Sequence, residues 1–350
     1  MTHPTSFTTL ISVAQLRALQ ARGAQVQIWD CSFDLMAPAA GADAYAQGHI
    51  AGACYVHLEN DLSDLGHKTD ATDKNSGGQH PTGPASDSRH PTSPASDGRH
   101  PTSPASGGRH PTSPASGGRH PTSPASGGRH PLPSRDTFAT WLGHMGVTPA
   151  TQVVVYDRNG CNYCGRAWWM LQWCGHANVA VLDGGWQAWQ AASGAVSTPK
   201  ALKTPTPSHK LTAKYPLQPA NTAQAAIDFV AMAVQKGSHA IIDARAAQRF
   251  RGEVEPLDPV AGHIPGALNR PFSLNMGADG LFKPAATLRA EFDALLAGRD
   301  PSKVIHHCGS GVSAVPNMLA MAIAGYPPTQ LFAGSWSEWS NRPDLPVAKG

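Results

Sequence analysis

The chain carries one series of short patterns twice, which confines it to architectures built from two similar halves. An apolar strand-like run ending in Asp, QVQIWD at 25–30, is followed by His49-Ile50-Ala51-Gly52-Ala53. AIID at 240–243 is followed at nearly the same interval by His263-Ile264-Pro265-Gly266-Ala267. VVVYD at 153–157 then corresponds to VIHHC at 304–308, and each precedes a glycine-containing turn and an apolar helix-like run, 167–174 or 315–324. Both halves close on a turn with paired tryptophans, Gly184-Gly185-Trp186-x-x-Trp189 and Gly334-Ser335-Trp336-x-x-Trp339. Short β-branched runs alternating with helical segments predict α/β units on a mainly parallel sheet. The runs at 153–156, 179–182 and 304–305 are apolar at consecutive positions, as in strands covered on both faces. Of the adjacent His306 and His307, one is expected to pack inward and the other not. A first helix is expected from Val13 behind a Ser12 cap, with Leu16 and Leu19 on one face, and a counterpart after Thr222.

A second repeat is of another kind. From His80 a ten-residue unit runs HPTGPASDSR, HPTSPASDGR, then HPTSPASGGR three times, ending at Arg129. His130-Pro131-Leu132-Pro133 starts a sixth copy and leaves the pattern. The unit has no aromatic residue and no aliphatic one beyond Ala, so it cannot offset the entropy of ordering. It reads as a disordered, inert insertion at 80–129 in the first of two domains. Removing it brings the spacing of the two halves closer together. The domain organisation expected is 8–195, a Pro-, Lys- and Thr-rich linker at 196–219, and 220–347.

Composition excludes several classes. Lys plus Arg number 27 and Asp plus Glu 24, without a basic cluster, which argues against nucleic acid as a partner. No run of 18 apolar residues suggests a membrane span. The first ten residues lack a basic stretch followed by an apolar one, so a cytoplasmic location is expected. Six Cys scattered over 350 residues do not form a disulfide framework.

Cys308 is the residue best placed for chemistry. It ends an apolar strand and opens Cys308-Gly309-Ser310-Gly311-Val312-Ser313-Ala314. Two glycines let this loop curl, aiming backbone N–H groups and a helix start at the sulfur. Such a setting stabilises a thiolate, or an anionic sulfur attached to it; a buried structural Cys beside a turn is the alternative. Cys161 and Cys164 form a CxxC without a second ligand pair, so no metal is expected. Cys31, Cys54 and Cys174 read as packing residues. No Walker loop or dinucleotide fingerprint is present, and no organic cofactor is expected.

Taken together, HIAGA and HIPGA, VLDGGWQAW at 181–189, RFRG at 249–252, CGSGVSA at 308–314 and GSWSEW at 334–339 resemble the tandem-domain rhodanese-like sulfurtransferases. The resemblance implies two α/β domains, each a mainly parallel sheet flanked by helices, with the reactive Cys only in the second. Asp157 stands where Cys308 would be in the first, which is therefore expected to be catalytically silent. The implied reaction takes a sulfane sulfur from a donor onto Cys308 as a persulfide and passes it to cyanide or a thiol. The CG(S/T)GVTA-like loop is similar to the 3-mercaptopyruvate type. Gly309 and Ser310 replace the Arg and Lys that more often follow the Cys in thiosulfate enzymes. Thiosulfate as donor, and a carrier that accepts a persulfide without turnover, stay open as alternatives. Gly309, Ser310, Gly311, Val312 and Ser313 would form the persulfide loop, and Arg249 would bind the donor carboxylate. A second arginine of the family has no counterpart in EPLDPV at 255–260; Arg251 or Arg166 is a possible substitute. Ser310 would be assisted by His130 and by Glu59 in place of an Asp. The implied partners are a small-molecule donor, a thiol or cyanide acceptor and a thioredoxin-like reductant.

Overall fold

The computed structural model describes residues 6–65, 127–198 and 213–350. The ten-residue repeat lies outside these residues except for Gly127, Gly128 and Arg129, as do residues 199–212 of the expected 196–219 linker. The first domain contains strands β1 (Leu10–Ile11), β2 (Val26–Asp30), β3 (His49–Ile50), β4 (Ala53–Tyr55), β5 (Gln152–Tyr156), β6 (Val179–Leu182) and β7 (Val196–Ser197). Its helices are α1 (Val13–Ala21), α2 (Ala40–Gln47), α3 (Arg135–His144), α4 (Cys164–Trp173) and α5 (Gly185–Ala191). The second domain has β8 (Ala223–Gln224), β9 (Ala240–Asp243), β10 (Leu268–Asn269), β11 (Val304–His307) and β12 (Gln330–Leu331). It carries α6 (Ile227–Lys236), α7 (Ala247–Phe250), α8 (Ala285–Leu296), α9 (Val315–Ile323) and α10 (Ser335–Trp339).

The duplication is preserved strand by strand. The first sheet runs β1-β6-β5-β2-β4 and the second, read from its other edge, β8-β12-β11-β9-β10; every pair in both is parallel. α1 starts where the sequence predicts, with Ser12 and Gln15 forming a reciprocal capping box and Leu16 and Leu19 buried. The His of each HI(A/P)GA segment is structural: His49 stacks on Tyr45 and bonds its carbonyl, and His263 does the same with Phe250.

Alternation along the central strands feeds two faces. Val154 and Tyr156 of β5 pack with α1 and α5, whereas Val153 and Val155 face a larger core. In the second domain Ile305 packs with α6 and α10, and Val304 faces that same larger core. The shared core is thus the domain interface, where α4 lies on α9. Gly165 permits the approach, since a Cβ there would stand 3.3 Å from Val315 Cβ and Cγ1. One expectation fails here: His306 and His307 are both fully buried. β11 is central in a sheet covered on both sides, so neither face of the strand meets water. Burial pulls His306 down to about 3, with the charge of His307 adding to it. No described helix is long and apolar enough to cross a membrane.

Candidate active site

Cys308 emerges from the carboxyl end of β11 and is buried, with its carbonyl and that of Gly309 held by the start of α10. Trp336 N–H donates to Cys308 O at 2.9 Å and Ser337 N–H to Gly309 O at 2.8 Å. Ser335 Oγ accepts the Cys308 N–H at 3.1 Å and donates to Phe332 O. Ser335 holds φ at +54°, a left-handed conformation that costs a serine about 1–2 kcal/mol. Gly311 is required in the loop: its φ is +74° and a Cβ would lie 2.2 Å from Ala333 O. The N–H groups of Gly309, Ser310, Gly311, Val312 and Ser313 form no hydrogen bond among the described residues. Val312 is buried, and Ser313 Oγ reaches across the domain interface to Asn162 Oδ1.

The first domain supplies the residues on the other side. His130 Nδ1 lies 2.7 Å from Ser310 Oγ. Burial, and then the charges of Arg166 and Arg129, pull His130 down to about 3, so the imidazole is neutral near pH 7. Its Nε2 is 3.8 Å from Glu59 Oε1 and has no hydrogen-bond partner among the described residues. A neutral imidazole forms no ion pair, so that approach is an open gap. The structure thus brings Ser310, His130 and Glu59 together, with the first link closed and the second stretched.

Arg166 of α4 is fully buried and serves another purpose than the donor-binding role the sequence suggested. Its guanidinium donates to Gly311 O at 3.1 Å, to His130 O at 3.0 Å and to Leu62 O at 3.3 Å. It fixes the cysteine loop and the histidine segment to each other. Burial draws it down to about 10, opposed by the Cys308 sulfur, which leaves it charged at neutral pH. Arg251 is no substitute either, because it is half exposed and paired with Glu253.

Arg249 lies beside the loop. It donates to Glu255 Oε1 at 2.6 Å and to Asp258 Oδ2 at 3.2 Å. A second guanidinium arrives from the first domain: Arg129 pairs with the other oxygen of Asp258. A side chain built on Gly309 would begin 3.4 Å from Arg249 Nη1 and 3.7 Å from Arg129 Nη1. The last residues of the repeat are therefore ordered against the second domain, contrary to the expectation for 80–129 as a whole. Arg129 N–H donates to Ser337 Oγ at 2.9 Å, and a Cβ at Gly128 would fall 2.5 Å from Gly334 O. Sequence reading passed over Arg129 because it occupies the arginine position of a low-complexity unit. The one available signal was that His130, its neighbour, is where the repeat departs from its pattern.

In the first domain Asp157 follows β5 as Cys308 follows β11, and Trp186 N–H donates to Asp157 O as Trp336 does to Cys308 O. The Asp157 carboxylate turns back into its own loop and accepts four N–H groups at 2.8–3.0 Å, from Asn159, Cys161, Tyr163 and Cys164. All six cysteines are free. Burial holds Cys31 and Cys164 well above the ordinary thiol range and pushes Cys54 up to about 12 and Cys174 to about 11.

Comparison with known proteins agrees with this geometry. The family model described as "Rhodanese-like domain" matches residues 121–192 and 227–342. The chain is 36% identical over 348 residues to a "Probable 3-mercaptopyruvate sulfurtransferase" of Pseudomonas aeruginosa, covering 97% of this chain and 100% of that one. It is 34% identical over 344 residues to a "Putative thiosulfate sulfurtransferase SseB" of Mycobacterium tuberculosis, covering 97% of each. The crystal structure of SseA from Escherichia coli, a 3-mercaptopyruvate sulfurtransferase by its description, superposes with a TM-score of 0.63 at 26% identity, covering 95% of this chain and all of that one. The chain belongs to the rhodanese-like domain family, as a tandem-domain sulfurtransferase that acts between a small-molecule sulfur donor and an acceptor.

Proposed function

We propose that the protein moves a sulfane sulfur from 3-mercaptopyruvate through a Cys308 persulfide to cyanide or a thiol. The observation that carries this reading is the Cys308 loop: a strand-end cysteine followed by five N–H groups without hydrogen-bond partners among the described residues. Such a loop can receive the negative terminal sulfur of a persulfide, as an oxyanion hole receives oxygen. In the first half-reaction the Cys308 thiolate attacks the donor sulfur. The donor C–S bond breaks, its electron pair stays on carbon as an enolate, and the donor thiol proton ends on that carbon to give pyruvate. In the second, the acceptor attacks the outer sulfur and Cys308 leaves as thiolate. Ser310 and the neutral His130 supply a hydroxyl and an imidazole through which a proton can travel. Glu59 lies 3.8 Å from the Nε2 of that imidazole without a hydrogen bond to it, so its part in the relay is at most a weak one.

The donor preference rests on charge. Arg129, Arg245 and Arg249 are set against Asp243, Glu255 and Asp258, three charges against three, and Gly309 and Ser310 add none. A balanced, partly buried cluster favours a monoanionic carboxylate over dianionic thiosulfate. The relative named for thiosulfate keeps the second donor in view. A dithiol reductant of the thioredoxin kind, in a reducing cytoplasm, would suit a persulfide and six free cysteines. Steady-state kinetics with each donor, against cyanide and a dithiol, test the reading. A higher kcat/KM for mercaptopyruvate is expected. A preference for thiosulfate overturns the donor, and negligible turnover with both favours a persulfide carrier.

A further inference from the structure

We propose that Arg129 of the first domain is a substrate-binding residue and holds the donor carboxylate jointly with Arg249. The assignment deepens the mercaptopyruvate reading and rests on it. Three observations lead to it. First, the Arg129 backbone is referenced to the reactive loop. Its N–H is fixed to Ser337 Oγ, and the N–H of the same Ser337 holds Gly309 O. Gly128 lies so close to Gly334 that no side chain fits between them. Second, Asp258 is shared. One of its oxygens takes Arg129 and the other takes Arg249, so a single buried carboxylate orients two guanidiniums from two domains. Third, Arg249 spends its Nε and Nη2 and Arg129 its Nη2 on carboxylates, and both place Nη1 near the residue next to Cys308. Neither Nη1 has a hydrogen-bond partner among the described residues.

The two Nη1 atoms lie 3.4 and 3.7 Å from one point, and hence no more than about 7 Å apart. One carboxylate accepting hydrogen bonds of about 2.7–2.9 Å on each oxygen can bridge that gap. The segment at 255–260 thus contributes no arginine of its own, yet through Asp258 it recruits one from the other domain. The donor site would then close only when both domains are in place. The same arginine lies against His130, the next residue in the chain, and helps keep that imidazole neutral.

The test compares wild type, Arg129→Ala, Arg129→Lys and Arg249→Ala by steady-state kinetics with mercaptopyruvate and by calorimetric titration of pyruvate, whose carboxylate should occupy the same place. Arg129→Ala should raise KM and weaken pyruvate binding about tenfold or more, comparably to Arg249→Ala. The rate of persulfide formation at saturating donor should change far less. Arg129→Lys keeps the charge without the fork and should fall between; it also serves as the readable variant if Arg129→Ala is unstable. A folded Arg129→Ala with wild-type KM and pyruvate affinity overturns the assignment. Failure of the wild type to use mercaptopyruvate would overturn the donor reading, while pyruvate binding would still decide the role of Arg129.

Discussion

The loops after β5 and β11 occupy equivalent places in the two domains and carry opposite contents. Both leave a central parallel strand, and both are anchored by a tryptophan N–H at the start of a short helix. In the first, Asp157 fills the ring of N–H groups with its own carboxylate. In the second, Cys308 brings no carboxylate, and the N–H groups of residues 309–313 have no partner among the described residues. The fold therefore makes an anion-binding turn twice. A permanent internal occupant makes one of them structural. No side chain caps the other among the described residues, and the proposed function puts the transferred sulfur there. On this reading a silent first domain would follow from satisfaction of its loop as well as from an Asp, in place of a Cys, at the strand end.

The largest effect should come from removing that occupant. Asp157→Ala leaves four N–H groups unpaired, those of Cys161 and Cys164 buried, and should cost about 3 kcal/mol, read by denaturant unfolding. Stability indistinguishable from wild type would mean that the carboxylate is not what holds this loop.

The buried histidines set the next effect. His130 and His306 both titrate at about 3 in the folded chain, against about 6.5 when unfolded. Between these values the unfolded chain binds more protons, so stability rises with pH across that window and levels off above about pH 7. Each such histidine contributes a loss of up to about 1.4 kcal/mol per pH unit on acidification. His306→Leu should therefore lose about 2 kcal/mol less than wild type between pH 7.5 and pH 5. An equal loss in both proteins would show that His306 takes up its proton in the folded state. The same neutrality predicts no activity limb near pH 6–7 from His130.

The smallest effect is expected from shortening the repeat. Deleting 80–119 joins Gln79 to His120 and keeps the unit that ends in Gly127, Gly128 and Arg129. Loop length enters closure entropy only as about 0.6 kcal/mol per doubling, so the melting temperature and KM should barely move. Deleting 80–129 also removes Arg129 and should raise KM. Identical kinetics for the two deletions would contradict the ordered role of those last residues.

What could be read in advance follows the range of the interactions. The strand runs, the Ser12 cap and the Gly-Ser-Gly curl after Cys308 are local, and the structure reproduces them. The duplication made the architecture legible, because each half supports the reading of the other. The pairing of Ser310 with His130 came through resemblance, since 180 residues separate them. Contacts made by long side chains across the domain interface left no local trace. Arg166 sits in an apolar helical run and fastens two loops from below. Glu255 and Asp258 look like loop acids until Arg249 and Arg129 are seen on them. The expectation that only one of His306 and His307 packs inward failed because strand alternation was applied to a strand whose apolar run at 304–305 already implied cover on both faces.

The contrast between the two loops is tested most directly by intact-protein and peptide mass spectrometry after incubation with mercaptopyruvate in the absence of an acceptor. One sulfur atom, about 32 Da, should be added at Cys308 and discharged by cyanide, and Cys308→Ser should gain none. Sulfur on Cys161 or Cys164 of the first domain, or full turnover in Cys308→Ser, would contradict the assignment of an open loop to one domain and a filled loop to the other.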